Sequence, residues 1–341
     1  MSLTETSARR APVARLALPP WARFLLGRLG QALLVMALVV IGNFVIMQMA
    51  PGDLVTVIAG GADMTQEQMA DLRARFGLDL PLLVQFWNYV AQLLTFDLGY
   101  SYRMNAPVWE VLSARLPTTA ALVVLSLLFS VTIGTVMGVV SARRAGTLTD
   151  MGINAVALVL YAAPSFVVAM LLVLVFSVKL GWFPIAGLTT VSAGYTGWAL
   201  VKDMAAHLVM PVTALCTFYV AIYARLARST MLEVMDQDYV RTARAKGLSE
   251  TRVIYVHTLR NALLPIVTMA GLQVSTVLGG AVVVETVFGL PGMARTAYDA
   301  VFQRDTTMLL GVMFVSSLAI VIVNLAVDLL YTVLDPRVSL K

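Results

Sequence analysis

The residues best suited to specific chemistry lie together in one stretch: Asp238, Tyr239, Val240, Arg241, Thr242, Ala243, Arg244, Ala245, Lys246 and Gly247, followed by Leu248 and Ser249. Small side chains (Thr242, Ala243, Ala245) are interleaved with cations (Arg241, Arg244, Lys246). Small side chains let another surface approach closely, and the cations around them can pair with carboxylates on that surface. Gly247 breaks two helical stretches, and Ser249 is placed to cap the second. This is the chemistry of recognition, not of bond making.

Sites for catalysis are missing from the sequence. There are two histidines, His207 and His257, and one cysteine, which excludes a disulfide framework and a cysteine-cluster metal site. No H-E-x-x-H or G-x-S-x-G pattern occurs, and no G-x-x-x-x-G-K-[ST] phosphate loop. Any nucleotide hydrolysis linked to this chain must therefore be done elsewhere.

The elements that position the 238–249 stretch follow from composition. Of 341 residues, 59% are hydrophobic and only 13% charged. A soluble domain carries about 25% charged residues, and a water-soluble exterior could not be built from this chain. The fold class is all-α integral membrane. Six uncharged windows, the last running from Asp305 to Asp328, locate the spans at about 29–50, 116–142, 151–178, 204–224, 261–284 and 306–330, each offering about the 20 apolar residues needed to cross the hydrocarbon. The window 180–201 is also uncharged, but it holds Gly181, Pro184, Gly187, Gly194 and Gly197 with five hydroxyl-bearing side chains, so it reads as a loop.

With both termini on one side, that side receives the tail 1–28, the turn at 143–150, the loop 225–260 and the C-terminus. These hold 16 of the 24 Lys and Arg but 8 of the 19 acids. The positive-inside rule makes that side cytoplasmic, giving six transmembrane helices, N-in and C-in. The first window is too long for the apolar core of a cleavable signal. The external segment 51–115 contains a helix over 66–76, begun by a Thr65/Gln68 capping box and stopped at Gly77, and a second apolar helix over about 81–95 that suits the membrane surface.

Polar groups at or near the windows are Asn43, Gln48, Asn154, His207, Gln273 and Asn324, with Glu285 and Asp328 at span ends. Asn154, Gln273, Glu285 and the Pro164–Ser165 pair, which predicts a kink, are the candidates for a path or gate. Polar groups also hold helices together in membranes, so both roles stay open. For the 225–260 loop three readings compete: a helix-turn-helix reader of DNA, excluded by its tethering to the bilayer at both ends; a solvated basic loop; and a docking element for a cytosolic partner. Nucleic acid is not an expected partner.

The segment Asp238 to Gly247, followed by Arg260-Asn261-Ala262-Leu263-Leu264-Pro265, resembles the EAA coupling motif of binding-protein-dependent ABC importer permeases, in the form found in the dipeptide, oligopeptide and nickel branch. Further pieces resemble that branch in the same order: Met49-Ala50-Pro51-Gly52-Asp53, Phe76-Gly77-Leu78-Asp79, Asp97-Leu98-Gly99, Leu116-Pro117-Thr118-Thr119, Glu285 through Gly292, Arg304-Asp305 and Asp335-Pro336-Arg337. The resemblance implies a type I ABC importer permease fold over 116–335, preceded by the helical external segment. It implies that Asn261, Leu264 and Pro265 follow the coupling motif as its re-entry into the membrane. It also implies a second homologous permease subunit, two cytosolic ABC ATPases that use ATP and magnesium, and an extracytoplasmic substrate-binding protein, all at a bacterial inner membrane. This chain would bind no cofactor itself and would not be an enzyme. The substrate implied is a di- or oligopeptide, with nickel complexes, glutathione-like and opine-like solutes as alternatives. An ion-coupled secondary carrier is the rival class, but the windows carry no acid or base at their centres and no internal repeat is evident.

Overall fold

The computed structural model describes residues 20–49, 65–75 and 77–334, together with Val55. Most of the N-terminal tail, the turn at 51–53 and the 335–337 tripeptide lie outside the described residues. In chain order the elements are α1 (Pro20–Met49), α2 (Gln66–Arg75), α3 (Leu82–Leu94), a two-stranded antiparallel hairpin of β1 (Tyr100–Ser101) and β2 (Ala106–Pro107), α4 (Val108–Arg143) and α5 (Leu148–Ala162). They continue as α6 (Ser165–Lys179), α7 (Gly197–Met235), α8 (Asp238–Ala245), α9 (Glu250–Val287), α10 (Met293–Phe302) and α11 (Thr306–Leu334).

Among the described residues five helices are long and apolar enough to cross a membrane: α1, α4, α7, α9 and α11. The sixth apolar unit is α5 with α6, bent by 98° where they meet. The cause is local. Pro164 lacks the N–H a continuing helix needs, and it pushes the preceding residue out of the helical region; Ala163 is extended, at φ −75° and ψ 119°. The kink expected at Pro164 is therefore a corner.

The helices outrun the uncharged windows. The stretch 225–260, expected as a loop, is helical to Met235 and again from Glu250, leaving 236–249 as the connection that carries α8. Uncharged windows mark the depth of the hydrocarbon, not the end of the hydrogen-bond ladder. Beyond Arg225 come Leu226, Ala227, Arg228, Met231, Leu232 and Glu233, good helix formers with no Gly or Pro among the residues up to Met235. The second span likewise begins at Val108, before the expected 116, directly after Pro107. The 180–201 segment stays non-helical until Gly197 apart from the turn Val191–Ala193, and Gly181, Gly187, Gly194 and Gly197 all take positive φ.

The described part of the segment between the first two apolar helices folds as its residues dictate. The Thr65 amide donates to Gln68 Oε1 at 2.9 Å and the Gln68 amide to Thr65 Oγ1 at 3.3 Å, a closed capping box worth about 1 kcal/mol. Gly77, at φ +65°, ends α2. Helix α3 is held against α1 by the Phe44–Phe86 edge contact at 5.3 Å and by Gln48 Nε2 donating to Gln85 Oε1 at 3.0 Å. Two regions matched to the external pattern meet at the hairpin: the Ser101 hydroxyl donates to Asp305, whose other oxygen accepts from the Met308 amide at 3.0 Å and caps α11.

The centre of the bundle is the crossing of α4 and α7. Along α4, Ser126, Ser130, Gly134, Gly138 and Ala142 recur every fourth residue and all are buried. A Cβ at Gly134 would stand 2.6 Å from Tyr223 Cβ and 2.8 Å from the Val220 carbonyl oxygen. One at Gly138 would stand 2.5 Å from Ala227 Cβ and 2.6 Å from the Ala224 carbonyl oxygen. The backbones touch, as small-x-x-x-small interfaces in membranes allow. Leu122, Leu215, Tyr223, Ile266, Val277, Val284 and Phe288 surround this crossing as the main core.

Candidate coupling surface and buried polar clusters

Helix α8 is eight residues with two faces. Val240 and Ala243 are buried and join Leu248, Val234 and Val253, which anchors α8 across the end of α7 and the start of α9. Asp238, Tyr239, Arg241, Thr242, Arg244, Ala245, Lys246 and Gly247 are exposed. The helix ends in a Schellman turn: the Gly247 amide donates to the Arg244 carbonyl at 2.9 Å and the Leu248 amide to the Ala243 carbonyl at 3.3 Å, with Gly247 at φ +76°. A Cβ at Gly247 would meet nothing within 4 Å, so its backbone angle alone asks for glycine. Ser249 occupies the cap position before α9 in extended conformation, but its side chain makes no capping hydrogen bond.

The cations of α8 are partly committed. Arg241 Nη2 lies 2.7 Å from Asp236 Oδ1. Arg244 binds Glu250 through both nitrogens, Nη2 to Oε1 at 2.8 Å and Nε to Oε2 at 3.2 Å, and this carboxylate holds the guanidinium above its ordinary range. Lys246 is exposed and has no ion-pair partner among the described residues. The structure also brings Asn261 to the motif: its Nδ2 donates to Tyr239 Oη at 2.9 Å and to the His257 carbonyl at 2.9 Å. Leu264 and Pro265 lie inside α9, Leu264 half-buried and Pro265 exposed, and Thr268 Oγ1 donates to the Leu264 carbonyl at 2.8 Å. Between α8 and the rest of α9 runs a π-helical segment, Val253–Thr258.

The other candidate residues fall into separate places. Asn154 half-buried in α5 belongs to a cluster around Asp150: Arg228 Nε and Nη2 donate to its two oxygens at 2.8 Å each, the Ser141 hydroxyl donates to it, the Gly146 amide donates at 2.9 Å and Asn154 Nδ2 at 2.7 Å. This clamp ties the α4–α5 turn to α7. Gln273 is buried on α9, and Pro164 and Ser165 stand at the corner of α5 and α6. Neither meets the Asp150 cluster.

Glu285 is fully buried. Its Oε1 accepts from Thr119 Oγ1 at 2.6 Å and its Oε2 from the Arg295 amide at 2.8 Å, while Thr119 Oγ1 accepts from the Met293 amide at 2.8 Å. The carboxylate thus takes the free amides at the start of α10, where helix N-termini favour negative charge. A Cβ at Gly292 would stand 2.1 Å from Glu285 Cδ, which explains that glycine. Upstream, Gly289 at φ +61° closes α9, with the Leu290 amide donating to the Glu285 carbonyl at 2.9 Å. Sequence reading did not find the Asp150–Arg228 clamp or the α4–α7 seam. The signal for the seam was present as Gly134-x-x-x-Gly138 inside an apolar window. Among the described residues no group of three or more His, Cys, Asp or Glu side chains could hold a metal ion.

The structure is thus a bundle of helices apolar enough to cross a membrane, with a short helix of exposed cations, α8, between two of them. Residues 134–340 match the family described as binding-protein-dependent transport system inner membrane component, and residues 21–123 match its N-terminal counterpart. The chain belongs to that family. It is 38% identical over 336 residues to the dipeptide transport system permease protein DppB of Escherichia coli K12, covering 94% of this chain and 99% of that one. It is 40% identical over 314 residues to a protein named for peptide transport in Brucella suis biovar 1, covering 92% and 98%. In fold it is similar to a chain of the MetNI methionine ABC transporter solved in inward-facing form, at a TM-score of 0.53 and 17% identity, over 66% of this chain and 96% of that one.

Proposed function

We propose that the chain is one permease half of an ATP-driven, binding-protein-dependent importer of di- and oligopeptides in a bacterial inner membrane. The observation that carries the reading is near-full-length identity of about two residues in five with permeases named for dipeptide and peptide transport, and the exposed face of α8, with Arg241, Arg244 and Lys246 on it, supports it. In this reading the chain makes six spans with both termini in the cytoplasm, the bent α5–α6 unit being one of them. The exposed face of α8 seats in a groove of a cytosolic ATPase, of which the complex holds two, and those subunits handle ATP and magnesium. A second homologous permease completes the path, and an extracytoplasmic binding protein delivers the solute. This chain binds no cofactor and does no chemistry of its own.

The mechanism is mechanical. Closure of the ATPases around nucleotide moves α8. Because Val240 and Ala243 lock α8 to α7 and α9, and Asn261 ties it to α9 through Tyr239, the movement passes into two spans together. Packed interfaces switch between discrete arrangements rather than deforming smoothly, so the bundle alternates between inward- and outward-open states. Purification of the tagged chain in mild detergent, with mass spectrometry of what accompanies it, tests the reading. A second permease with Walker-A ATPases is expected. A chain that came out alone and carried solute in vesicles without ATP would replace the importer with a secondary carrier.

A further inference from the structure

One polar and aromatic feature on α7 and α5 runs from the main core, where Tyr219 is buried, out to the surface, and its exposed end belongs to none of the clusters above. The Arg225 guanidinium lies over the Tyr161 ring, 4.5 Å from its centroid. Tyr161 stacks on Phe218 at 4.9 Å with 20° between the planes, and Phe218 meets Tyr219 edge-on at 5.3 Å. Arg225 and Tyr161 are exposed and Phe218 is half-buried. Arg225 closes the uncharged window 204–224 at its basic end. The ladder therefore runs from a cation at the edge of the apolar depth inward along aromatic faces.

One turn further along α7, Arg228 is occupied by both oxygens of Asp150. Arg225 has no carboxylate partner among the described residues. A guanidinium carries its donors in its plane, so stacking on a ring uses the face and leaves the donor edge free, in the fork that matches a carboxylate. At a span end a guanidinium reaches the aqueous interface and stays charged there, open to an anion. The surroundings indicate which anion. Lipid-facing α1 exposes Leu33, Leu34, Leu38 and Ile41, whereas α7 exposes no large apolar side chain between Val209 and its end at Met235. The exposed position in that part of the window is Thr213. The α7 side of the site therefore does not suit acyl chains, while on the α5 side Leu158, one turn before Tyr161, is exposed. Tyr161 also stands two residues before the Ala163–Pro164 corner, so a change of that bend would move the platform under the guanidinium.

We propose that Arg225, held on the Tyr161–Phe218 platform, binds the C-terminal carboxylate of a peptide as it passes toward the cytoplasm. The proposal rests on the importer reading and deepens it. Aromatic faces accept peptide groups and side chains of many kinds, while the guanidinium recognises the one group that every free peptide carries.

The test uses the whole transporter, with both permeases, the ATPases and the binding protein, reconstituted in vesicles, and compares uptake of trialanine with that of its C-terminal amide. The binding protein is the same throughout, so any preference it imposes cancels when the acid-to-amide ratio of a variant is divided by that of the wild type. Arg225→Gln is expected to lower this ratio about tenfold, the size of one lost charge-assisted pair. Arg225→Lys should restore part of it, and Tyr161→Leu should lower it less. Equal loss for both peptides would mean a structural or lipid-binding role and would overturn the proposal, as would unchanged uptake. A wild-type complex that fails to accumulate trialanine with ATP would instead sink the importer reading beneath it.

Discussion

Gly247 and Gly292 are the same residue for two different physical reasons, and their substitutions should differ accordingly. Gly247 has open space where a Cβ would go but a backbone at φ +76°. Alanine there meets only the left-handed penalty, on the order of 1 kcal/mol, and asparagine, which visits that region more readily, less. Gly247→Ala should leave expression and assembly intact and reduce ATP-dependent uptake, with Gly247→Asn closer to wild type. Normal uptake by Gly247→Ala would count against α8 as the lever. Gly292 has the opposite problem: a Cβ would enter the Glu285 carboxyl group at 2.1 to 2.2 Å. Gly292→Ala should lower the melting temperature of the purified chain by an overpacking cost of about 1–3 kcal/mol. Shortening the acid with Glu285→Asp in the same chain should recover part of the loss. If the double variant melts below both single variants, the contact between these two residues is not what constrains position 292.

At the scale of elements, the α4–α7 seam depends on backbone contact. Gly138→Leu places its side chain against Ala227 and the Ala224 carbonyl, so the helices must part, at roughly 1–3 kcal/mol or more. Gly279→Ala, where nothing lies within 4 Å, is the control and should leave thermal unfolding in detergent unchanged. Equal melting of the two variants would remove the seam from the account of stability. This seam also shows where the sequence could and could not be read. Its i+4 ladder of small residues is visible in the chain, but its partner positions 220, 223, 224 and 227 on α7 are not marked by anything local. The caps are the opposite case: Thr65 with Gln68, Gly77 and Gly247 act within a few residues, so sequence alone placed α2 and the end of α8. The apolar helices were legible because charge is expensive in hydrocarbon, and each of the six windows falls on an apolar helix or the bent α5–α6 pair, yet the helices run past the charges, where only propensity speaks. Pro164 announced a bend, while no residue spacing announced its size of 98°. The Glu285 site joins residues 119, 285 and 295, and no spacing rule predicts a contact 166 positions apart.

At the scale of the whole molecule, orientation follows from charge rather than from packing. The bundle's packing would be the same either way up in a bilayer, because dispersion and hydrogen bonds between helices do not sense which side is which. What distinguishes the sides is that 225–260 carries seven basic residues and four acids, while the 180–201 loop carries no charge and offers Trp182, Tyr195 and Trp198 to an interface. The chain has a single cysteine, Cys216, and it is buried, so one introduced thiol can be read without interference. Tyr195→Cys, on an exposed residue of that loop, should react with a charged, impermeant thiol reagent in intact spheroplasts. Lys246→Cys, beside the docking face of α8, should react only after the membrane is opened, and should be shielded when the ATPases are bound. Labelling of position 246 from outside would invert the topology, and with it the side from which α8 could be driven. Labelling of both positions from outside would mean that α7, the helix that separates them, does not cross the membrane.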